Sequence, residues 1–289
     1  MTTQYTPESG ARWTAAHPST LFAEFLSLVL RPAGGWAPVS AMVELMAELG
    51  IDEALVRAMV SRQKRRGWLE PEKRGRLRGY RLSEQALAGL TESDKIVWHP
   101  RAEARLEDGW VLVTFSVPES ARTRRHLLRS RLGSLGFGAI GPGTLLAPAR
   151  MEGAMNAVLR DHDLSRFVDV FHAQLAPGGD PAEVIKRGWD LAELNAAYLE
   201  FLEVYRPVVA LWAERGPDDR GYDVEAFQDY VLAFNRWRRL PLRDPGLPTN
   251  LLGAEWAGRD AGRLFEELVD LIRDRAIDFA RGRWDADSP

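Results

Sequence analysis

Residues 40–83 pass from a helical to an extended hydrophobic period across short glycine punctuation, and few folds accommodate that switch. Met42, Val43, Leu45, Met46 and Leu49 make one broad helical face, and Gly50 stops it where a left-handed residue is needed. Asp52 then caps a second helix with Leu55, Val56, Met59 and Val60 inward. After Gly67, Trp68-Leu69 and Tyr80-Arg81-Leu82 read as two strands around a basic turn containing Gly75 and Gly79. Ser83 caps a further helix, from Glu84 to about Leu90 and on toward Trp98. Upstream, Leu21, Phe22, Phe25, Leu28 and Val29 recur at helical spacing, with Ser19 or Thr20 as the expected cap. Pro32, Gly34 and Gly35 end that helix, Trp36 to Val39 is a short extended piece, and Ser40 is the expected cap of the next helix. The pattern predicts a winged helix-turn-helix over residues 19–98, preceded by a flexible polar arm over 1–18.

Charge sharpens this reading. From Val56 to Arg81 there are ten Lys/Arg against Glu70 and Glu72, a local +8 in a chain of −3, so the remainder carries −11. A basic block in an acidic chain is the electrostatic footprint of a nucleic-acid surface. Arg57, Ser61, Arg62, Lys64 and Arg65 lie on the outer face of the third helix, where they can reach base edges or phosphates in a major groove. Lys73, Arg74, Arg76 and Arg78 lie on the hairpin, suited to phosphate or minor-groove contact. The expected partner is double-stranded operator DNA, read by a homodimer on two half-sites.

The middle of the chain changes character. Trp110 to Val117 is an apolar, β-branched run bounded by Gly109 and Pro118, a buried strand. A basic amphipathic helix follows over Glu119 to Gly136, then two short strands around Gly141-Pro142-Gly143, a helix from Met151 to His162, and a strand over Phe167 to Leu175. The order β-α-β-β-α-β predicts a ferredoxin-like sandwich over 108–176. Pro177 to Pro181 is a linker by composition. An all-helical domain is expected over 182–282, with Pro207 marking a kink or boundary, so the fold class is α+β in three parts.

Several function classes are excluded or disfavoured. With no cysteine there is no disulfide framework, thiolate metal site or cysteine nucleophile. No apolar stretch is long enough to span a bilayer, so the chain is read as soluble and cytoplasmic. There is no phosphate-binding Gly loop followed by Lys, no HExxH and no GxSxG, and no catalytic residue or cofactor is assigned. Asp161, His162 and Asp163 are adjacent on a helix end and do not converge on one point, so no metal site is assigned. The sandwich leaves open a metal-dependent nuclease, although its first strand ends in Thr114-Phe115-Ser116-Val117-Pro118 without a carboxylate. An architectural DNA-binding protein without a ligand is the other alternative.

Four segments carry a resemblance along nearly the whole chain: residues 56–83, 136–148, 188–212 (GWDLAELNAAYLEFLEVYRPVVALW) and 238–258 (RRLPLRDPGLPTNLLGAEWAG). In this order, behind a winged helix, they resemble the PaaX family of regulators. Gln63 stands where the family's third helix usually carries an apolar residue. The resemblance implies a dimeric repressor that leaves its operator when an aryl-acyl-CoA, typically phenylacetyl-CoA, binds. An acyl-CoA offers phosphates for arginine forks and rings for aromatic side chains. Arg206, Arg236, Arg239 and Arg243 with Trp189, Trp237 and Trp256 are the expected effector set, at the seam of the sandwich and the helical region. Arg236 and Arg239 are expected to share one helix face.

Overall fold

The computed structural model describes residues 17–98, 104–216 and 219–285. The arm expected over 1–18 lies, up to residue 16, outside the described residues. The chain is α+β, with two small antiparallel sheets and a helical C-terminal region. It gathers into two compact units. The first takes Met1–Lys95, Glu203–Trp237 and Arg263–Pro289; the second takes Ile96–Leu202 and Arg238–Gly262.

The first unit opens with α1 (Pro18–Phe25), which runs on as π-helical turns over Leu26–Leu30. Its cap is His17, whose ring nitrogen accepts from Ser19 N–H, rather than Ser19 or Thr20; Pro18 already sits at the first helical position, where no N–H is required. Then follow β1 (Trp36–Pro38), α2 (Val39–Ala47), α3 (Glu53–Arg65), β2 (Leu69–Arg74), β3 (Leu77–Leu82) and α4 (Glu84–Val97). Helix α2 starts one residue before the expected cap Ser40, because Pro38 is extended and already occupies the cap position. Gly50 has φ +72° and ends this helix as expected. Asp52 Oδ1 accepts from Leu55 N–H at 2.9 Å, and Ser83 Oγ accepts from Ala86 N–H at 3.1 Å, so both of these caps stand where the sequence puts them.

The sheet order is β1-β3-β2. β2 and β3 pair from Leu69↔Leu82 to Arg74↔Leu77, leaving Gly75-Arg76 as a two-residue loop. Gly75 takes φ +56° at the first loop position, the geometry that matches the twist of a hairpin. On the other side of β3, a Cβ on Gly79 would lie 2.3 Å from the Ala37 carbonyl oxygen and 2.8 Å from the Trp36 ring. Only glycine lets β1 close against the hairpin.

The rest of this unit comes from far along the sequence. α9 (Asp223–Trp237), the later part of α8 (Leu191–Glu214) and the later part of α12 (Gly258–Asp285) supply Val208, Trp212, Phe227, Tyr230, Val231, Phe234, Phe265 and Ile272, all buried. Buried Asn235 donates through Nδ2 to both carboxyl oxygens of buried Glu24 at 2.9 and 2.8 Å, so these polar groups inside the core are hydrogen-bonded. Gln228 Nε2 donates to the Glu48 carbonyl at 2.7 Å, and Arg283 lies 3.7 Å from Glu44 and 3.5 Å from Glu48. The C-terminal helices therefore hold α2 from behind.

The second unit contains β4 (Trp110–Phe115), α5 (Arg122–Gly133), β5 (Gly138–Gly141), β6 (Thr144–Pro148), α6 (Glu152–Asp161), β7 (Val168–Ala173) and α7 (Pro181–Gly188). The sheet is antiparallel in the order β5-β6-β4-β7. Alternation along β4 decides its two faces. Val111 and Val113 join Leu145 and Ala147 under Leu128 and Leu132 of α5 and Met155 and Leu159 of α6. Trp110 and Leu112 face the other way, toward Ile185 of α7, Trp189, Leu247 and Leu251. α10 (Arg239–Arg243) and α11 (Thr249–Leu252) complete the unit, α11 stopping at Gly253, which takes φ +85°.

Candidate nucleic-acid interface and ligand cleft

Helix α3 buries Val56, Met59, Val60 and Gln63 and exposes Arg57, Ser61, Arg62, Lys64 and Arg65. Its basic last turn lies at the negative end of the helix dipole, which favours those cations with or without a ligand. Gln63 is turned into the core, and its Oε1 has no hydrogen-bond partner among the described residues. Arg57 is paired in place, its Nε donating to Glu53 Oε1 at 2.7 Å one turn earlier. Among the described residues, Arg62, Lys64 and Arg65 meet no carboxylate.

The hairpin repeats this division. Arg74 donates to Glu72 Oε1 at 2.6 Å and lies over the Trp36 ring, 4.8 Å from its centroid. Trp36 Nε1–H donates to the Glu72 carbonyl at 3.3 Å, so a tryptophan outside the expected set anchors the hairpin. Its signal in the sequence is weak, since a lone Trp before a helix reads as core. Arg81 pairs with Glu70 and, at 3.4 Å, with Glu72. Lys73, Arg76 and Arg78 are exposed and have no acidic partner among the described residues. On α3 and the hairpin of one unit, six cations thus stand without a carboxylate among the described residues.

The residues expected to hold an effector divide between the units. Arg206, Arg236 and Trp237 belong to the first, and Trp189, Arg239, Arg243 and Trp256 to the second. In the first, Trp237 is buried and stacks on Phe265 at 4.8 Å. α9 ends at Trp237 and α10 begins at Arg239, with Arg238 between them in right-handed helical backbone, φ −55° and ψ −25°.

In the second unit, the chain breaks between α7 and α8 at Trp189-Asp190. Trp189 Nε1–H donates to the Gly136 carbonyl at 2.8 Å, and its ring tilts against Trp110 at 6.1 Å. A Cβ on Gly138 would lie 2.7 Å from that ring, so glycine is required beneath it. Two hollows flank the break. One, of about 510 Å³, is lined by Lys186, Arg187, Trp189, Asp190, Leu191 and Leu251 among others. The other, of about 170 Å³, brings Trp189 together with Arg243 beside Phe137 and Leu194. Arg239 and Trp256 line neither. Lys186 and Arg187, absent from the expected set, border the larger hollow; their only signal in the sequence is a basic last turn on a short helix.

Arg243 Nη2 donates to Glu193 Oε1 at 2.7 Å, an exposed pair. Trp256 packs edge-on against Tyr198 at 5.6 Å. Tyr198 OH donates to Asp244 Oδ2 at 2.9 Å, while Asp244 Oδ1 accepts from Gly246 N–H at 2.6 Å. Arg150 Nη2 donates to the Pro245 carbonyl at 2.7 Å. Burial pulls the Arg150 guanidinium below the usual arginine range, and Asp244 opposes that shift. Among the described residues no cluster of three or more His, Asp or Glu side chains is arranged to hold a metal ion, and no helix is long and apolar enough to cross a membrane.

Three family models match the chain in succession: a PaaX-like protein over residues 18–86, the PaaX protein central Cas2-like domain over 103–185, and the PaaX-like protein C-terminal domain over 189–282. The chain belongs to the PaaX family. Its sequence is 28% identical over 264 residues to the transcriptional repressor PaaX of Escherichia coli (strain K12), covering 90% of this chain and 81% of the relative. Among solved structures it resembles the uncharacterized protein Rv0674 from Mycobacterium tuberculosis, with a TM-score of 0.54 and 23% identity over 88% of this chain and 96% of the other, a likeness of fold.

The segment Arg238–Gly258, one of the stretches with PaaX character, has an internal structural use. Asn195 donates to the Glu255 carbonyl at 3.1 Å and accepts from Ala257 N–H at 2.8 Å, and Asp244 and Arg150 hold Pro245-Gly246. In this PaaX-family chain the aspartate and tryptophan of that segment are committed to its own packing.

Proposed function

We propose that this protein is a transcriptional repressor that binds double-stranded operator DNA through a winged helix-turn-helix, with α3 in the major groove and the β2–β3 hairpin as the wing. The observation that carries the reading is the placement of Arg62, Lys64, Arg65, Lys73, Arg76 and Arg78: exposed, on one unit, with no carboxylate among the described residues to neutralise them. Arg57, Ser61 and Arg74 complete the surface, Arg57 and Arg74 exchanging Glu53 and Glu72 for DNA. The E. coli relative is a repressor, and the function proposed is accordingly regulatory rather than catalytic.

The domain reading follows: a winged helix-turn-helix over 19–98, a ferredoxin-like sandwich over 108–176 and a helical region over 182–282. The order β5-β6-β4-β7 supports the sandwich, since its first and third strands lie side by side at the centre. The protein acts as a cytoplasmic homodimer on a two-fold operator. Its effector is an aryl-acyl-CoA such as phenylacetyl-CoA. Trp189 and Arg243, which share one hollow, are the strongest members of the effector set, with Arg239 near in sequence; Arg206, Arg236, Trp237 and Trp256 are weaker members.

Footprinting on the promoter of the protein's own gene, with and without phenylacetyl-CoA, tests this. Protection of a two-fold site that disappears with the thioester is expected. Uniform protection of any sequence would instead mark an architectural protein.

A further inference from the structure

We infer that the outer face of α5, in the second unit, is a separate binding surface for the phosphate backbone of duplex DNA. It extends the DNA-binding reading and rests on it only for the choice of duplex DNA as the polyanion. Helix α5 holds five arginines, one histidine and no acidic residue. Its apolar side, Leu128 and Leu132, is pressed onto the sheet. The arginines divide by direction. Arg124 and Arg125 turn inward along the helix flanks, Arg124 donating to the His162 carbonyl at 2.8 Å and Arg125 to the Val117 carbonyl at 2.6 Å. Arg125 also lies 3.3 Å from Glu119, which takes up the acidic residue just before the helix.

Arg122, Arg129 and Arg131 are exposed and meet no carboxylate among the described residues. Arg122, His126 and Arg129 recur at one face of the helix, every three to four residues. Arg160 is exposed on α6, which covers the same side of the sheet, while nearby Asp163 is taken by Arg166 at 3.3 Å. Between the arginines stand Thr123 and Ser130, also exposed, small enough for a backbone to approach and able to donate to phosphate. None of the large exposed apolar side chains of the described residues lies on α5, which disfavours a bilayer or an apolar protein partner. In a chain of net charge −3, Arg122 and Arg129 on one flank of the helix and Arg131 on the other, none meeting a carboxylate among the described residues, complement a polyanion.

The test uses the full-length protein and a mixed-sequence duplex of about 30 base pairs, with affinity measured by fluorescence anisotropy across salt concentrations. The triple variant Arg122→Ala/Arg129→Ala/Arg131→Ala should lower the slope of log affinity against log salt by about 2.7, near 0.9 for each phosphate no longer neutralised. From about 50 to about 200 mM salt the unaltered protein should therefore lose roughly forty-fold more affinity than the variant. Circular dichroism and the melting temperature of the variant should match those of the parent, because all three side chains project from the surface. Neutralising exposed Arg273 on α12 serves as a charge control and should leave the slope in place. The variant should also keep its preference for the protein's own promoter over mixed sequence, whereas Arg57→Ala/Arg62→Ala should lose that preference and keep the α5 contribution. An unchanged slope in the triple variant would overturn the inference, as would a loss confined to single-stranded RNA or to an acidic protein.

Discussion

Two arginine-bearing stretches of this chain look alike as strings of letters and behave differently once folded. On α3 and the hairpin, Arg62, Lys64, Arg65, Arg76 and Arg78 face solvent with no carboxylate among the described residues. In the second unit, Arg150 is drawn to the Pro245 carbonyl, Arg243 to Glu193, and Trp256 to Tyr198. The difference lies in what surrounds each cation. The hairpin has two glutamates for its many cations, while the 238–258 segment packs against partners from elsewhere in its unit, Arg150, Glu193, Asn195 and Tyr198. A guanidinium near a buried carbonyl is committed to the fold, and one without a partner remains available to an external anion. Counting arginines finds both stretches and cannot separate them.

The sharpest way to break this comparison is on α3. Arg57→Ala/Arg62→Ala should weaken operator binding by about 1–3 kcal/mol for each base left unread, without lowering the melting temperature by more than a few degrees. Parent-like binding in a promoter gel shift would remove α3 from the interface. Gly79→Ala should come next, costing roughly 2–4 kcal/mol in urea unfolding, because its Cβ would collide with the Ala37 carbonyl. Binding should fall with the hairpin it supports.

Asp244→Ala probes the other region. It strands the Tyr198 hydroxyl and the Gly246 N–H, so stability should fall by about 2–3 kcal/mol while the affinity of the folded protein for DNA stays as it was. Arg74→Ala is milder: specific and mixed-sequence DNA should weaken alike, and the salt slope should drop by about 1. The smallest effect on stability is expected from Arg239→Ala/Arg243→Ala, since the Arg243–Glu193 pair is exposed and such pairs contribute about 0–1 kcal/mol. DNA binding should be retained in that variant and thioester-driven release abolished; unchanged thioester affinity would move the pocket away from Trp189 and Arg243.

What can be read from the sequence is local. The caps at Asp52 and Ser83, the stop at Gly50 and the hairpin turn at Gly75 depend on a few neighbouring residues, and each stands where those residues place it, whereas Gly79, expected in the same turn, lies inside β3 opposite Glu72. The outward basic face of α3 is legible for the same reason, since its apolar residues leave only one side for Arg57, Arg62 and Arg65. The caps expected at Ser19 and Ser40 are displaced because prolines one or two residues away already claim the start of each helix. Two matters are decided only by tertiary structure. Trp237 goes to the core on Phe265, although its neighbours are arginines. Residues 203–237 and 263–285 join the N-terminal region, with Asn235 meeting Glu24 across most of the chain's length. Helical periodicity states that an apolar face must be covered, and it carries no information about which distant face will cover it.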